Sequence, residues 1–197
     1  MLTDINLKQS QNMPLENGGK THPHKFALWV AIASIIMMFA GLTSAYIVKS
    51  GQANWQEVKT PTTFWYSTAV LIISSITMQA SLRAIKQKAM SQYRLLLLVT
   101  LVLGIVFVVL QWIGFNWLWS NGVHFEGAGE GQFLYIIFGL HALHVLGGII
   151  ALIVILAKQY FGKIRSYNIT SAEVMSTYWH FVDVLWIYLL VFFIWIG

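Results

Sequence analysis

The chain has 197 residues, of which 57% are hydrophobic and only 10% charged, whereas about a quarter of an ordinary soluble domain is charged. It contains no cysteine, which excludes disulfides, thiolate metal sites and nucleophilic thiols. The net charge of +5 would suit nucleic acid, but the basic residues stand at the edges of apolar runs, where they orient membrane helices; no nucleic-acid partner is expected.

Five long apolar runs joined by short polar links give the hydropathy of an all-α polytopic membrane protein. The links are too short to build a second core, so residues 26–197 are expected to form one five-helix transmembrane bundle. Residues 1–25 are polar, hold Pro14, Gly18, Gly19 and Pro23, and read as a flexible cytoplasmic tail. They lack the basic start, apolar core and small-residue cleavage site of a secretory signal. His22 and His24 offer two ligands where a metal site needs three or four, so no metal is expected there.

The first span, about 26–48, is uncharged. Its Ala40, Gly41, Ser44 and Ala45 form a smooth strip on which a neighbouring helix is expected to pack closely. The second, 63–82, is dotted with Ser67, Thr68, Ser74, Ser75, Thr77 and Gln79, side chains that bond their own backbone or an adjacent helix and so indicate packing, not a pore. A basic link from Arg83 to Arg94 leads to the third span, 95–118. That span ends in Gln111, Trp112, Trp117 and Trp119, and its tryptophans suit an interfacial belt. The following link carries Glu126 and Glu130 within a Gly-rich stretch that follows no strand and is acidic, unlike a phosphate loop. The fourth span, 132–157, contains Gly139, His141, His144, Gly147 and Gly148. A second basic link, beginning at Lys158, reaches Glu173 at the mouth of the fifth span, 174–196, in which His180 and Asp183 lie three residues apart.

Orientation follows from the basic residues. With the Arg83–Arg94 link inside, Lys8, Lys20, Lys25, Arg83, Lys86, Lys88, Arg94, Lys158, Lys163 and Arg165 are all inside, and only Lys49 and Lys59 are outside. The N-terminus is therefore expected in the cytoplasm and the C-terminus in the periplasm.

The intramembrane polar residues admit two kinds of role. His141 and His144 invite haem ligation, but axial ligands lie on opposite faces of the porphyrin and two histidines at i and i+3 on one helix do not clamp one haem. The structural alternative is that they hydrogen-bond across helices, or line a cavity, beside Gly139, Gly147 and Gly148. His180 and Asp183 share a helix face and can reach each other or a common neighbour. They suit either a proton relay or a buried polar cluster that locks the last helix in place. Asp183 is the only carboxylate well inside a span, which disfavours an independent pump. No catalytic or metal-binding constellation is complete. Lys158 at headgroup depth suits a lipid phosphate, or serves only as an orienting charge.

The string Tyr178-Trp179-His180-Phe181-Val182-Asp183-Val184-x-Trp186, preceded by Glu173, resembles the final helix of subunit III of the haem-copper (cytochrome c) oxidases. Gly139-x-His141-x-x-His144-Val145-x-Gly147 is similar to that family's Gly-x-His-Gly-x-His-Val-x-x-Gly motif. Met37-Met38-Phe39 through Ala45-Tyr46, and Gln111 before an aromatic outer end, match its earlier helices more loosely. There are departures. Ile35 and Gly114 stand where many members have glutamate, and Ala142 replaces a usual glycine, so a role carried by the first glutamate does not transfer.

The resemblance implies a short, five-helix bacterial subunit III in the inner membrane. Such a subunit is a non-redox accessory part of a terminal oxidase that reduces dioxygen and translocates protons in aerobic respiration. It packs on subunit I, with subunit II and other subunits nearby and a respiratory supercomplex as a further candidate partner. Haem and copper reside in the partner subunits, phospholipid is bound, and proton uptake and stability during turnover are supported. Cytochrome c is favoured over a quinol as donor. The alternatives are subunit III of a quinol oxidase, or an independent small membrane cytochrome or transporter.

Overall fold

A computed structural model describes residues 23–51, 62–121, 130–161 and 169–196. These form five helices and, among the described residues, no strand: α1 (Pro23–Ser50), α2 (Thr63–Lys86), α3 (Met90–Ser120), α4 (Glu130–Phe161) and α5 (Ile169–Ile196). His22, the His24 side chain, most of the tail and the acidic Gly-rich link with Glu126 lie outside the described residues.

Each helix runs past the apolar stretch that announces it. α3 starts at Met90 where the apolar run starts at Leu95, and α5 starts at Ile169. Hydropathy marks only the part that sits in hydrocarbon, whereas the backbone keeps its own hydrogen bonds into the headgroup layer. The Arg83–Arg94 link is accordingly mostly helix, with only Gln87, Lys88 and Ala89 between α2 and α3. Lys88 takes a left-handed φ of 60°. Around it the amides of Gln87, Lys88 and Ala89 bond to the carbonyls of Arg83, Ile85 and Ala84 at 3.0–3.1 Å.

This tight turn makes α2 and α3 an antiparallel pair. α2 also packs on α5, and α4 packs on both α3 and α5, so the last four helices close into a ring. α1 leans on the outside of that ring against α4 and α5. α5 thus packs along three other helices and reaches α3 through its side chains, and its buried residues run from Ala172 to Phe193.

Aromatic residues fill one half of the core. Trp186 of α5 stands 5.6 Å from Phe64 of α2, 5.3 Å from Phe107 of α3 and 5.4 Å from Phe138 of α4 (ring centroids). Phe138 stacks on Phe193 at 4.9 Å. Such pairs add about 0.5–1.5 kcal/mol each beyond the burial of their area. The Trp186 indole also donates to Thr68 Oγ1 at 3.0 Å.

The small strip on α1 is not where the bundle packs. Ala40, Gly41 and Ser44 are exposed, and nothing lies within 4 Å of a Cβ built on Gly41. α1 instead buries Ile32, Phe39, Thr43 and Tyr46, which recur at the helical spacing. Larger side chains there reach further across the shallow groove between α4 and α5 than a glycine strip can.

The Trp112, Trp117 and Trp119 side chains are exposed at the far end of α3. Trp65 and Tyr66 at the start of α2 and Trp195 at the end of α5 are exposed as well.

Candidate functional site

The polar residues within the spans converge on α5, and its Tyr178–Asp183 stretch distributes them to its neighbours. Trp179 points into the ring. Its indole meets Gly104 of α3, where an added Cβ would lie 2.9 Å from Cη2, and Gly148 of α4, where it would lie 3.1 Å from Cζ3. Its Nε1 donates to Ser74 Oγ of α2 at 3.0 Å. One side chain thus ties α5 to three helices, and its polar tip is satisfied, as a buried indole requires. Tyr178 turns toward α4 and donates to the His144 carbonyl at 2.9 Å. Further along, the Tyr188 hydroxyl meets Thr43 Oγ1 of α1 at 3.0 Å.

Asp183 and His180 meet at one residue of α2. His180 Nδ1 lies 2.6 Å from Ser75 Oγ, and the Ser75 side chain also faces the Asp183 carboxyl. The hydroxyl has a single proton; when that proton turns to the carboxylate, Ser75 accepts from His180 Nδ1–H. With the ring proton on Nδ1, the other nitrogen, Nε2, is an acceptor and meets the Gln79 side-chain amide, 3.3 Å away at the exposed edge of α2, through that group's NH2. A chain of side chains therefore runs from the buried carboxyl through Ser75 and His180 to the surface of the bundle.

Asp183 is buried, and its Oδ2 has no protein partner among the described residues. It lines a cavity of about 10 Å³ with Ser74, His144, Tyr178 and Trp179. That is space for about one water.

The two histidines of α4 diverge. His141 is buried between Phe107 (6.3 Å) and Trp186 (5.3 Å), and neither ring nitrogen has a partner among the described residues. His144 bonds through Nδ1 to the Leu140 carbonyl of its own helix at 2.7 Å and sets its ring edge against Phe39 of α1 at 5.9 Å. Neither makes a cross-helix side-chain bond among the described residues; both line cavities. That of His141 is about 470 Å³ and is walled by Gln111, Phe115, Tyr135 and Trp186. Of the three glycines beside them only Gly148 is closely approached; Gly139 has nothing within 4 Å, and Gly147 only the Tyr178 hydroxyl, at 3.8 Å.

Glu173 receives Lys25 of α1 at 2.8 Å on Oε2 and Lys86 of α2 at 3.1 Å on Oε1. Three helices are joined at one end of the bundle by this carboxylate. Lys158, at the end of α4, is exposed. Among the described residues no group of three or more His, Asp or Glu side chains is placed to hold a metal ion.

Gly114 has a local cause. A Cβ there would stand 2.5 Å from Phe64 Cε1, so the Phe64 ring occupies the room that a larger residue would need. Ile35 packs against the apolar core. Gln111 donates to Ser67 Oγ at 2.9 Å and joins α3 to α2.

Residue-by-residue reading missed the role of Trp179 and its two glycines, and that of Lys25 and Lys86. The glycines within the apolar runs, Gly104 alone and Gly148 beside Gly147, were the available signal for the first. For the second there was none, because an ion pair across 148 residues of sequence leaves no local pattern.

The model of the family described as cytochrome c oxidase subunit III matches residues 21–197. The chain is 35% identical over 161 residues to the probable cytochrome c oxidase subunit 3 of Nocardia farcinica, which covers 79% of each chain. It is 34% identical over 163 residues, 80% of each chain, to the probable cytochrome c oxidase subunit 3 of Mycobacterium tuberculosis. It is 26% identical over 179 residues to the cytochrome bo(3) ubiquinol oxidase subunit 3 of Pseudomonas aeruginosa, 87% of this chain and 83% of that one. With five helices each long and apolar enough to cross a bilayer, this multi-pass membrane protein belongs to the cytochrome c oxidase subunit III family.

Proposed function

We propose that the chain serves a bacterial cytochrome c oxidase as an accessory subunit without a redox centre of its own, in the inner membrane, with its N-terminus in the cytoplasm and its C-terminus in the periplasm. It packs on the large haem-bearing subunit I beside subunit II, which hold the haem and copper, and it supports proton uptake and stability during oxygen reduction. The observation that carries this reading is the use made of the buried polar groups. Ser74, Ser75, Thr43, Thr68 and Gln111 are spent on joining helices, and His141 and His144 face different neighbours instead of one another. That arrangement suits a scaffold. Residues 26–197 act as one transmembrane domain, and exposed Lys158 is suited to a phospholipid headgroup.

The greater identity to relatives named for cytochrome c oxidase than to the one named for a quinol oxidase favours cytochrome c as the electron donor of the complex. The Asp183–Ser75–His180 chain is the part of this subunit suited to holding or moving a proton.

The test is an affinity purification of the chain in mild detergent, read by reduced-minus-oxidised spectra and mass spectrometry. The expected result is haem bands together with a large multi-histidine partner, and a colourless chain once that partner is stripped away. A chain that keeps haem alone would overturn the reading and make His141, His144 and His180 ligand candidates.

A further inference from the structure

α1 and α2 both pack on α5, yet their backbones do not approach one another closely among the described residues. The outward face of α5 is therefore the floor of an open groove between them. Thr177, His180 and Val184 succeed one another along that floor at helical spacing, and Val184 is 64% exposed. Gln79 stands exposed on the α2 side, against His180. Lys25, Glu173 and Lys86 bridge the two walls at one end.

Depth decides what the groove can hold. Gln79 lies seven residues before Lys86 and His180 seven after Glu173, so at 1.5 Å per residue both are about 10 Å inward from the ion cluster. A hydrocarbon core is about 30 Å thick, which puts the amide and the imidazole inside it. Acyl chains offer such groups no hydrogen-bond partner, and polar side chains at that depth face protein or water. The imidazole already meets Ser75 and Gln79 through its two nitrogens, which leaves one end of the Gln79 amide without a protein partner among the described residues. A second helix carrying a polar side chain satisfies it, and a lipid tail does not. At the mouth, two lysines share one carboxylate and Arg83 is exposed nearby on α2, so the charge left over is positive and complements an acidic residue on the occupant.

We propose that the groove between α1 and α2 receives one transmembrane helix of the large oxidase subunit, which presents a hydrogen-bonding side chain to Gln79 beside His180 and an acidic residue toward Lys25 and Lys86. The proposal rests on the reading of the chain as an oxidase subunit and adds to it the face used and the chemistry of the contact.

A photo-crosslinking residue placed at Val184, with a control at Val102 on the exposed side of α3, tests it in the intact complex purified in mild detergent. The expected result is an adduct at position 184 carrying peptides of the haem-bearing subunit, and none at position 102. Should the position 184 variant fail to assemble, the same residue at Ile76, exposed on the flank of α2, reads the same contact. Adducts only with phospholipid, with a second copy of this chain or with a smaller subunit would overturn the assignment, as would no adduct, while haem still co-purifies. Loss of haem from the unsubstituted chain's preparation would overturn the parent reading instead.

Discussion

The indole of Trp179 occupies the space that a side chain on Gly148 would need. A Cβ at Gly148 would lie 3.1 Å from Cζ3 and 3.2 Å from Cε3, and Gly104 faces the same ring from α3. Close approach of this kind is how membrane helices gain packing where the hydrophobic effect offers them little.

Gly104→Ala and Gly148→Ala should each destabilise the bundle by about 1–3 kcal/mol, the usual cost of overpacking a fixed core. The same change at Gly41 or Gly139, where nothing lies within 4 Å, should be neutral or stabilising by up to about 1 kcal/mol, from helix propensity alone. Thermal unfolding in detergent separates the two pairs. Equal effects at all four positions would refute the account of Trp179.

Trp179→Phe removes the bond to Ser74 and withdraws the outer indole atoms that meet Gly104 and Gly148. The loss should exceed about 1 kcal/mol, the net worth of a typical hydrogen bond, because a cavity is left between the two glycines as well. In a double-mutant cycle with Ser74→Ala the two effects should not add, because both remove one contact. Additivity would place the indole elsewhere.

Asp183→Leu deletes the carboxyl beside Ser75, which keeps His180 at 2.6 Å, so the cost in stability should be about 1 kcal/mol, the net worth of one hydrogen bond. Assembly of the oxidase or its proton coupling should fall, while its haem content stays. Asp183→Asn, which still accepts from Ser75, should retain assembly. If Asp183→Leu instead removes the haem spectrum from an otherwise intact complex, the scaffold role of this residue is wrong.

Glu173→Gln should loosen the start of α1 from the bundle. Both lysines are about half exposed, so each pair is worth only about 0–1 kcal/mol and global stability should barely move. Faster hydrogen exchange in the first turns of α1 is the sensitive readout, and high salt should mimic the substitution. Unchanged exchange there would mean that Thr43, Tyr46 and Phe39 hold α1 unaided.

Lys88→Gly should stabilise the α2–α3 turn by about 1 kcal/mol, since a side chain at φ 60° clashes where glycine does not. A lowered melting temperature would show that the lysine side chain contributes more than its backbone costs.

The sequence by itself determined the five spans, the absence of thiol chemistry and the family, because hydropathy and motifs on one helix are local properties. His180 and Asp183 were legible as a pair for the same reason: three residues on one helix fix a shared face. Tertiary structure alone decided that Ser75 joins them, that Trp179 sits between Gly104 and Gly148, and that Glu173 holds Lys25 and Lys86. It also decided that the glycine strip of α1 faces outward, which the strip's own composition does not encode. Almost every face of these helices is apolar, and hydrocarbon solvates an outward leucine as well as a neighbouring helix does. The choice of inward face is therefore left to shape and to a few polar contacts between residues distant in the chain.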